Sequence, residues 1–322
     1  MRRAAVICCL TLLAGLSLPA ENLHLEKTMT LPAGVNVRFT AISRLGNMIA
    51  GACQDEKVRL WALDSGALGQ TVDLAGEHVS ALQFSSDGRL LAAGGGNGKV
   101  RLWDVPSGTL KLEFTAPSAI NVLVISADGH LVAAAPLDRD VEIWQMTPKK
   151  MAAHLHAPFA GTLALAFSPD SAWLATADGD TNVRIYDAYT GSLHSTATDL
   201  LLEPFAVAFS ADGKTVFAAG ADKTVTVIDA STGKVLRAFP RQSDIVVGLL
   251  LSPDGKLLVA AYANADDSRK PAPVLIWDVG SGSVKSTVLT PGITPNGGEF
   301  VADGRLLLTS VSGDQLKVWS VR

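Results

Sequence analysis

Apolar and polar positions alternate in short runs along most of this chain, and turn residues break the runs at regular places. The stretch from Asp87 to Gly108, DGRLLAAGGGNGKVRLWDVPSG, shows the unit most clearly. An Asp-Gly turn leads into an apolar strand, a loop of small residues, a second strand ending in Trp-Asp, and a Ser-Gly turn. Period-two alternation bounded by Gly, Asn, Asp and Ser predicts strands joined by tight hairpins. Seven copies of this unit follow one another. In the first, VRFTAI, MIAGAC and KVRLW are strands a, b and c, and strand d follows Asp64-Ser65-Gly66.

The position that closes strand c falls at Trp61, Trp103, Trp144, Tyr186, Ile228, Trp277 and Trp319, with spacings of 42, 41, 42, 42, 49 and 42. So regular a period marks sheets that cannot bury both faces alone and stack on their neighbours. Five residues after the landmark stands Gly66, Gly108, Gly191, Gly233 or Gly282, with Lys149 the exception in the third copy. A tight hairpin uses glycine there because it reaches positive φ without strain. The other hairpin carries Asp87-Gly88, Asp128-Gly129, Asp212-Gly213, Asp254-Gly255 and Asp303-Gly304. The last copy stops after LKVWSV and has no strand d. The alternating segment from Leu23 to Leu31, LHLEKTMTL, has no hairpin partner of its own, so it is expected to complete the last sheet and close the ring.

Composition agrees with many strands packed between sheets: 48% of the 322 residues are hydrophobic and only 18% charged. Net charge is −4, or −6 without Arg2 and Arg3, which argues against a nucleic-acid backbone as partner. Residues 1–20 differ in kind. Arg2 and Arg3 precede an apolar run from Ala4 to Leu18, and Pro19-Ala20 leads to the polar Glu21, as in a secretory signal. Expected, then, are a signal over 1–20 and one domain over 21–322, in an exported, periplasmic or secreted protein with no membrane span in its mature part. An uncleaved anchor is the alternative reading of the same run. Cys8 and Cys9 fall inside that segment, so Cys53 stands alone, with no disulfide to form and a small buried position as its expected place.

Phe84-Ser-Ser-Asp-Gly88 and Phe209-Ser-Ala-Asp-Gly213, each followed by a strand of the Val-Arg-Leu-Trp-Asp kind, resemble the WD40 repeat family of β-propellers over about residues 23–322. The resemblance implies an all-β, seven-bladed propeller of four-stranded antiparallel sheets closed by the N-terminal strand. Trp-Asp is intact at Trp103-Asp104 and Trp277-Asp278 and altered elsewhere. The family's Asp before strand c matches Asp55, Asp138, Asp180 and Asp222, with Asn97 in the second copy. The family's Gly-His pair, whose His binds that Asp, is missing apart from Gly76-Glu77-His78. These aspartates are therefore expected to cap their own b to c turns.

Candidate chemistry is sparse. His154 and His156 project to one face and form a metal pair without a third ligand, so a solvated outer strand is the preferred reading. Asp178-Gly179-Asp180 brings oxygens together, but Ca²⁺ wants six to eight and an ordinary turn is preferred. No catalytic residue, metal or cofactor is expected. In propellers of this kind the d to a and b to c loops share the rim where partners dock. On that rim the sixth copy inserts YANADDSRKPAP, and the expected partner-binding residues are Tyr262, Asp266, Asp267, Arg269 and Lys270, with Leu201 and Phe205 in a second, apolar cluster beside Pro158-Phe159. The resulting expectation is a monomeric, non-catalytic scaffold that binds a protein or peptide. The rival is an enzyme of another propeller family, lactonase-like or quinone-dependent, with its site in the central channel; strand a is instead rich in Ala, Val, Leu and Phe.

Overall fold

A computed structural model of the chain describes residues 23–45, 47–73, 78–136, 140–156, 161–198, 200–263, 273–288, 295–312 and 315–321. The 1–20 segment lies outside them. The described runs form seven four-stranded antiparallel sheets, six of which are consecutive in sequence. In the second blade, strands a to d are Val79–Phe84, Leu90–Gly95, Lys99–Asp104 and Thr109–Thr115. The a strands of neighbouring blades touch all the way round, first to last included, and so surround the axis. Among the described residues no helix is long and apolar enough to cross a membrane.

The seventh sheet is built as expected. Its strand d is Leu23–Thr30, which pairs antiparallel with Gln315–Val321 and places Leu25 opposite Trp319 and Met29 opposite Leu316. Closure gives the last blade the same four strands as the others, with Leu23–Thr30 as its outer strand.

Alternation sorts each strand's residues between two neighbours. Val58 and Leu60 of the first blade pack on Leu91, Ala93 and Trp103 of the second. Val100 and Leu102 repeat the contact against Ala134 and Trp144 of the third. The step recurs round the ring to Leu316 and Val318 of the seventh blade, which pack on Ile49 and Trp61 of the first. In five blades the strand c aromatic is thus a wedge between blades, and burying such a side chain removes some 150–250 Å² from water. Cys53 is buried in the seam cluster, and that burial pushes its thiol pKa up.

Both hairpin glycines have the expected backbone: φ is +69° at Gly108 and +72° at Gly88. In five blades the a to b turn is closed by its own side chains. Ser85 Oγ donates to Asp87 at 2.6 Å and accepts from the Leu90 amide at 2.9 Å, while Asp87 takes the Arg89 amide at 3.0 Å. The same bonds recur from Ser126, Ser168, Ser210 and Ser252.

The seventh blade departs from this register. Val301 stands where the serine should be and has no hydroxyl to hold the longer turn. Its amide bonds the Arg305 carbonyl, one residue nearer than the Ser85 to Leu90 spacing, and Phe300 pairs with Leu306 where Phe84 pairs with the later Leu91. A slip of one residue turns every side chain of the strand to its other face. Leu306 and Leu308 accordingly pack on the sixth blade and Leu307 faces the first.

Candidate functional site

The a to b and c to d turns share one rim of the ring, and the b to c and d to a loops share the other. On the first rim, between the seventh and first blades, the described surface opens into a cleft of about 350 Å³. Its walls are the a to b turns of both blades, the c to d turn of the first and the outer strand of the seventh. The cleft lies where two neighbouring turns break the Ser-x-Asp-Gly rule. Val301 has replaced the serine on one side. On the other, Arg44-Leu45 stands where the other six copies place a small residue or proline before aspartate.

These substitutions give the cleft its chemistry. Leu45 cannot close the turn as an aspartate would and is 59% exposed at the mouth. Lys27 donates to the Asp64 carbonyl at 2.6 Å, and Asn47 donates to the Asp64 carboxylate. Arg305 bridges Asp303 at 2.8 Å and Glu26 at 3.2 Å. Half-buried Arg44 makes no hydrogen bond or ion pair among the described residues. Behind it, Glu299 on strand a of the seventh blade accepts the Phe300 amide at 3.0 Å. Burial raises the Glu299 pKa to about 7, against the opposing pull of that amide and of Arg44.

A second cleft of about 310 Å³ lies on the same rim between the fourth and fifth blades, walled by Trp173, His194, Lys214 and Asp229. The Trp173 and His194 rings meet at a tilt of 35°, with centroids 4.3 Å apart.

The residues expected to bind a partner fare unevenly. Asp266, Asp267, Arg269 and Lys270 lie outside the described residues, as do Pro158 and Phe159. Tyr262 is a correction. Strand b of the sixth blade runs on to Ala263, which turns the Tyr262 ring inward onto Trp277 and leaves it 1% exposed in the core between blades. A buried ring of that kind contributes packing, not rim surface. Leu201 is 80% exposed and Phe205 half-buried, on the rim opposite the cleft.

The other candidates are occupied by neighbours. His154 and His156 both approach Asp140, at 3.4 and 3.2 Å, and no set of three metal-type side chains able to hold an ion occurs among the described residues. Asp178 is buried, which raises its pKa, and its oxygens accept from Thr162 at 2.8 Å, Arg184 at 2.6 Å and Thr176 at 2.9 Å. Asp180 holds Arg184 through both oxygens and caps the Asn182 amide. Asp55 grips Arg59 in the same way, at 2.8 and 2.6 Å. The missing histidine is therefore replaced in two blades by an arginine four residues on, and Asp222 and Asn97 cap their turns as expected. Asp138 lies outside the described residues.

Sequence reasoning missed Arg44 and Glu299. Both had a signal. Arg44 is the one cation among Ser86, Ala127, Pro169, Ala211, Pro253 and Ala302, and Glu299 the one acid among Ala41, Gln83, Val124, Ala166, Ala208 and Leu250.

Comparison with known proteins adds the family of the repeats. The WD domain, G-beta repeat profile matches residues 70–104, 150–187 and 203–229. A chain in the crystal structure of a mitotic checkpoint complex is 22% identical, with a TM-score of 0.76, over 92% of this chain and 91% of that one. No curated protein matches. The chain is a seven-bladed β-propeller, three stretches of which match the WD domain, G-beta repeat, each ending with a strand c.

Proposed function

We propose that this propeller is an exported, non-catalytic interaction scaffold that docks a protein or peptide segment in the cleft where its ring closes. The observation that carries the reading is the coincidence of two departures. The only neighbouring a to b turns that lose the Ser-Asp pair flank the larger of the two clefts described, and no packing requirement asks for Arg44 and Leu45 on an exposed turn. A closed ring holds such turns rigid, so little ordering cost falls on binding. The repeat match and the likeness to a chain in a complex support a role in protein interaction. The charged and apolar segment at the N-terminus supports export.

The test is capture of partners from the exported fraction by the unaltered chain and by Ala302→Trp. Ala302 lines the cleft on an exposed turn, so an indole there fills the space without entering the core. The expected result is loss of the captured partner at an unchanged melting temperature. Undiminished capture by the filled variant overturns the reading, and a parallel variant shortened over residues 264–272 shows whether the insertion of the sixth copy is used instead.

A further inference from the structure

We infer that the ligand group seated in this cleft is a carboxylate of a peptide segment and that Arg44 is the residue that holds it, an inference that rests on the docking reading above. The cleft's acids already have donors. Glu26 accepts from Ser320 Oγ at 2.5 Å and from Arg305, Asp303 accepts from the Arg305 side chain and amide, and Asp64 accepts from Asn47. Of its cations, Arg305 is spent on two carboxylates and Lys27 on a backbone carbonyl. Arg44 alone among them brings a guanidinium with no acceptor among the described residues.

A half-buried guanidinium has given up part of its hydration, and unmatched donors are costly to keep. The acid behind Arg44 does not settle the account. With a pKa raised to about 7, Glu299 is largely protonated in mildly acidic solution and offers no full counter-charge. The planar fork of an arginine matches a carboxylate through two parallel hydrogen bonds.

The surroundings choose among anions and give the flank of the ligand. Glu26, Asp64 and Asp303 line the same cleft, so a phosphate dianion meets about twice the repulsion that a single negative charge does. Leu45, exposed beside Arg44, and Leu63 supply an apolar contact on one side. An aliphatic residue next to aspartate or glutamate satisfies both features. A volume of about 350 Å³ is at the small end of ligand sites and takes two or three residues of a chain.

Two peptides test this by calorimetric titration, acetyl-Leu-Glu-Leu-amide and its Gln analogue, each against the unaltered chain, Arg44→Gln, Arg44→Lys and Ala302→Trp. The expected result is about tenfold tighter binding of the glutamate peptide to the unaltered chain, a difference of one charge-assisted contact. Arg44→Gln removes the preference, Arg44→Lys keeps part of it, and Ala302→Trp removes binding of both peptides, with all melting temperatures unchanged. Equal affinity for the two peptides, a preference that survives in Arg44→Gln, or no binding of the glutamate peptide up to its solubility limit overturns the inference. If Ala302→Trp loses a natural partner while the two peptides bind alike, docking in the cleft stands and the carboxylate falls.

Discussion

Glu26 and Ser320, 294 positions apart in sequence, meet through a 2.5 Å hydrogen bond from Ser320 Oγ to Glu26 Oε1. They occupy in the seventh blade the places that Lys111 and Asp104 hold in the second. There the residue after the strand c aromatic is an acid, and the bulged residue of strand d reaches it with an ammonium 2.7 Å away, holding the Asp104 carboxyl down at about 2. In the seventh blade the residue after Trp319 is a serine, the bulged residue is the acid, and that acid turns on to Arg305. The seam thus keeps the contact between strands c and d with its chemistry exchanged.

That contact and the buried Met29 and Leu31 make the first strand a structural part of the last blade. Removing residues 21–31 is expected to lower the urea midpoint of the whole ring, because the seventh sheet loses its outer strand and an edge opens. Met29→Ala is the milder form, with an expected loss of about 2–4 kcal/mol from the methylenes removed and the cavity left. Equal midpoints for the full and shortened chains would show that the ring does not depend on this strand.

Trp103→Ala is expected to cost about 3–5 kcal/mol, since its indole wedges against Val58 and Leu60 of the preceding blade. Trp173→Ala is expected to cost clearly less. Trp173 starts a strand b, is half-buried and leans on exposed His194. Chemical denaturation of the two variants side by side decides the order, and a larger loss at Trp173 would contradict the wedge assignment.

The ring was readable in the sequence because each landmark repeats a local demand: Gly108 a positive φ, Asp87 a closed turn, Trp103 an inter-blade gap. Arg44 stands out locally too, yet its meaning depends on Val301 and Arg305, which only ring closure brings beside it. Tyr262 misled for the opposite reason. Read from the composition of the residues after it, it opens a loop; the strand in fact continues one residue further and the alternation points its ring inward. The Asp180 to Arg184 clasp was hidden because, with the family's histidine missing, Asp180 was expected only to cap its own turn, while a side-chain partner stands four residues on in the same hairpin.

That clasp yields a prediction of its own. Arg184→Met strands the buried Asp178 carboxyl with two threonine hydroxyls and no counter-charge, and an expected loss of about 3–5 kcal/mol follows from leaving one member of a buried pair unmatched. Adding Asp178→Asn should recover part of that loss, because the uncompensated charge is then gone while the threonines keep a partner. Urea midpoints of the single and double variants measure it. No recovery in the double variant would mean that the arginine acts through packing of its stem and not through the charge.

Glu299 sets the last expectation, a dependence of stability on pH. Its ordinary value near 4.5 is raised to about 7 in the fold, first by burial. Between those two values the folded chain keeps a proton that the unfolded chain has released, so the unfolded state binds fewer protons and stability falls as pH rises through the window. Below about 4.5 both states are protonated, above about 7 both are ionised, and the contribution is flat on either side. The full fall is at most about 3–4 kcal/mol, from a pKa raised by roughly 2.5 at 1.36 kcal/mol per whole step, and less where solvent reaches the carboxyl. Glu299→Gln removes the titrating proton and keeps the acceptor for the Phe300 amide, so its urea midpoint should hold between pH 5 and 7 where that of the unaltered chain declines. Parallel declines in the two proteins would assign the dependence to other groups, such as Asp178 and Glu142, whose pKa values burial also raises.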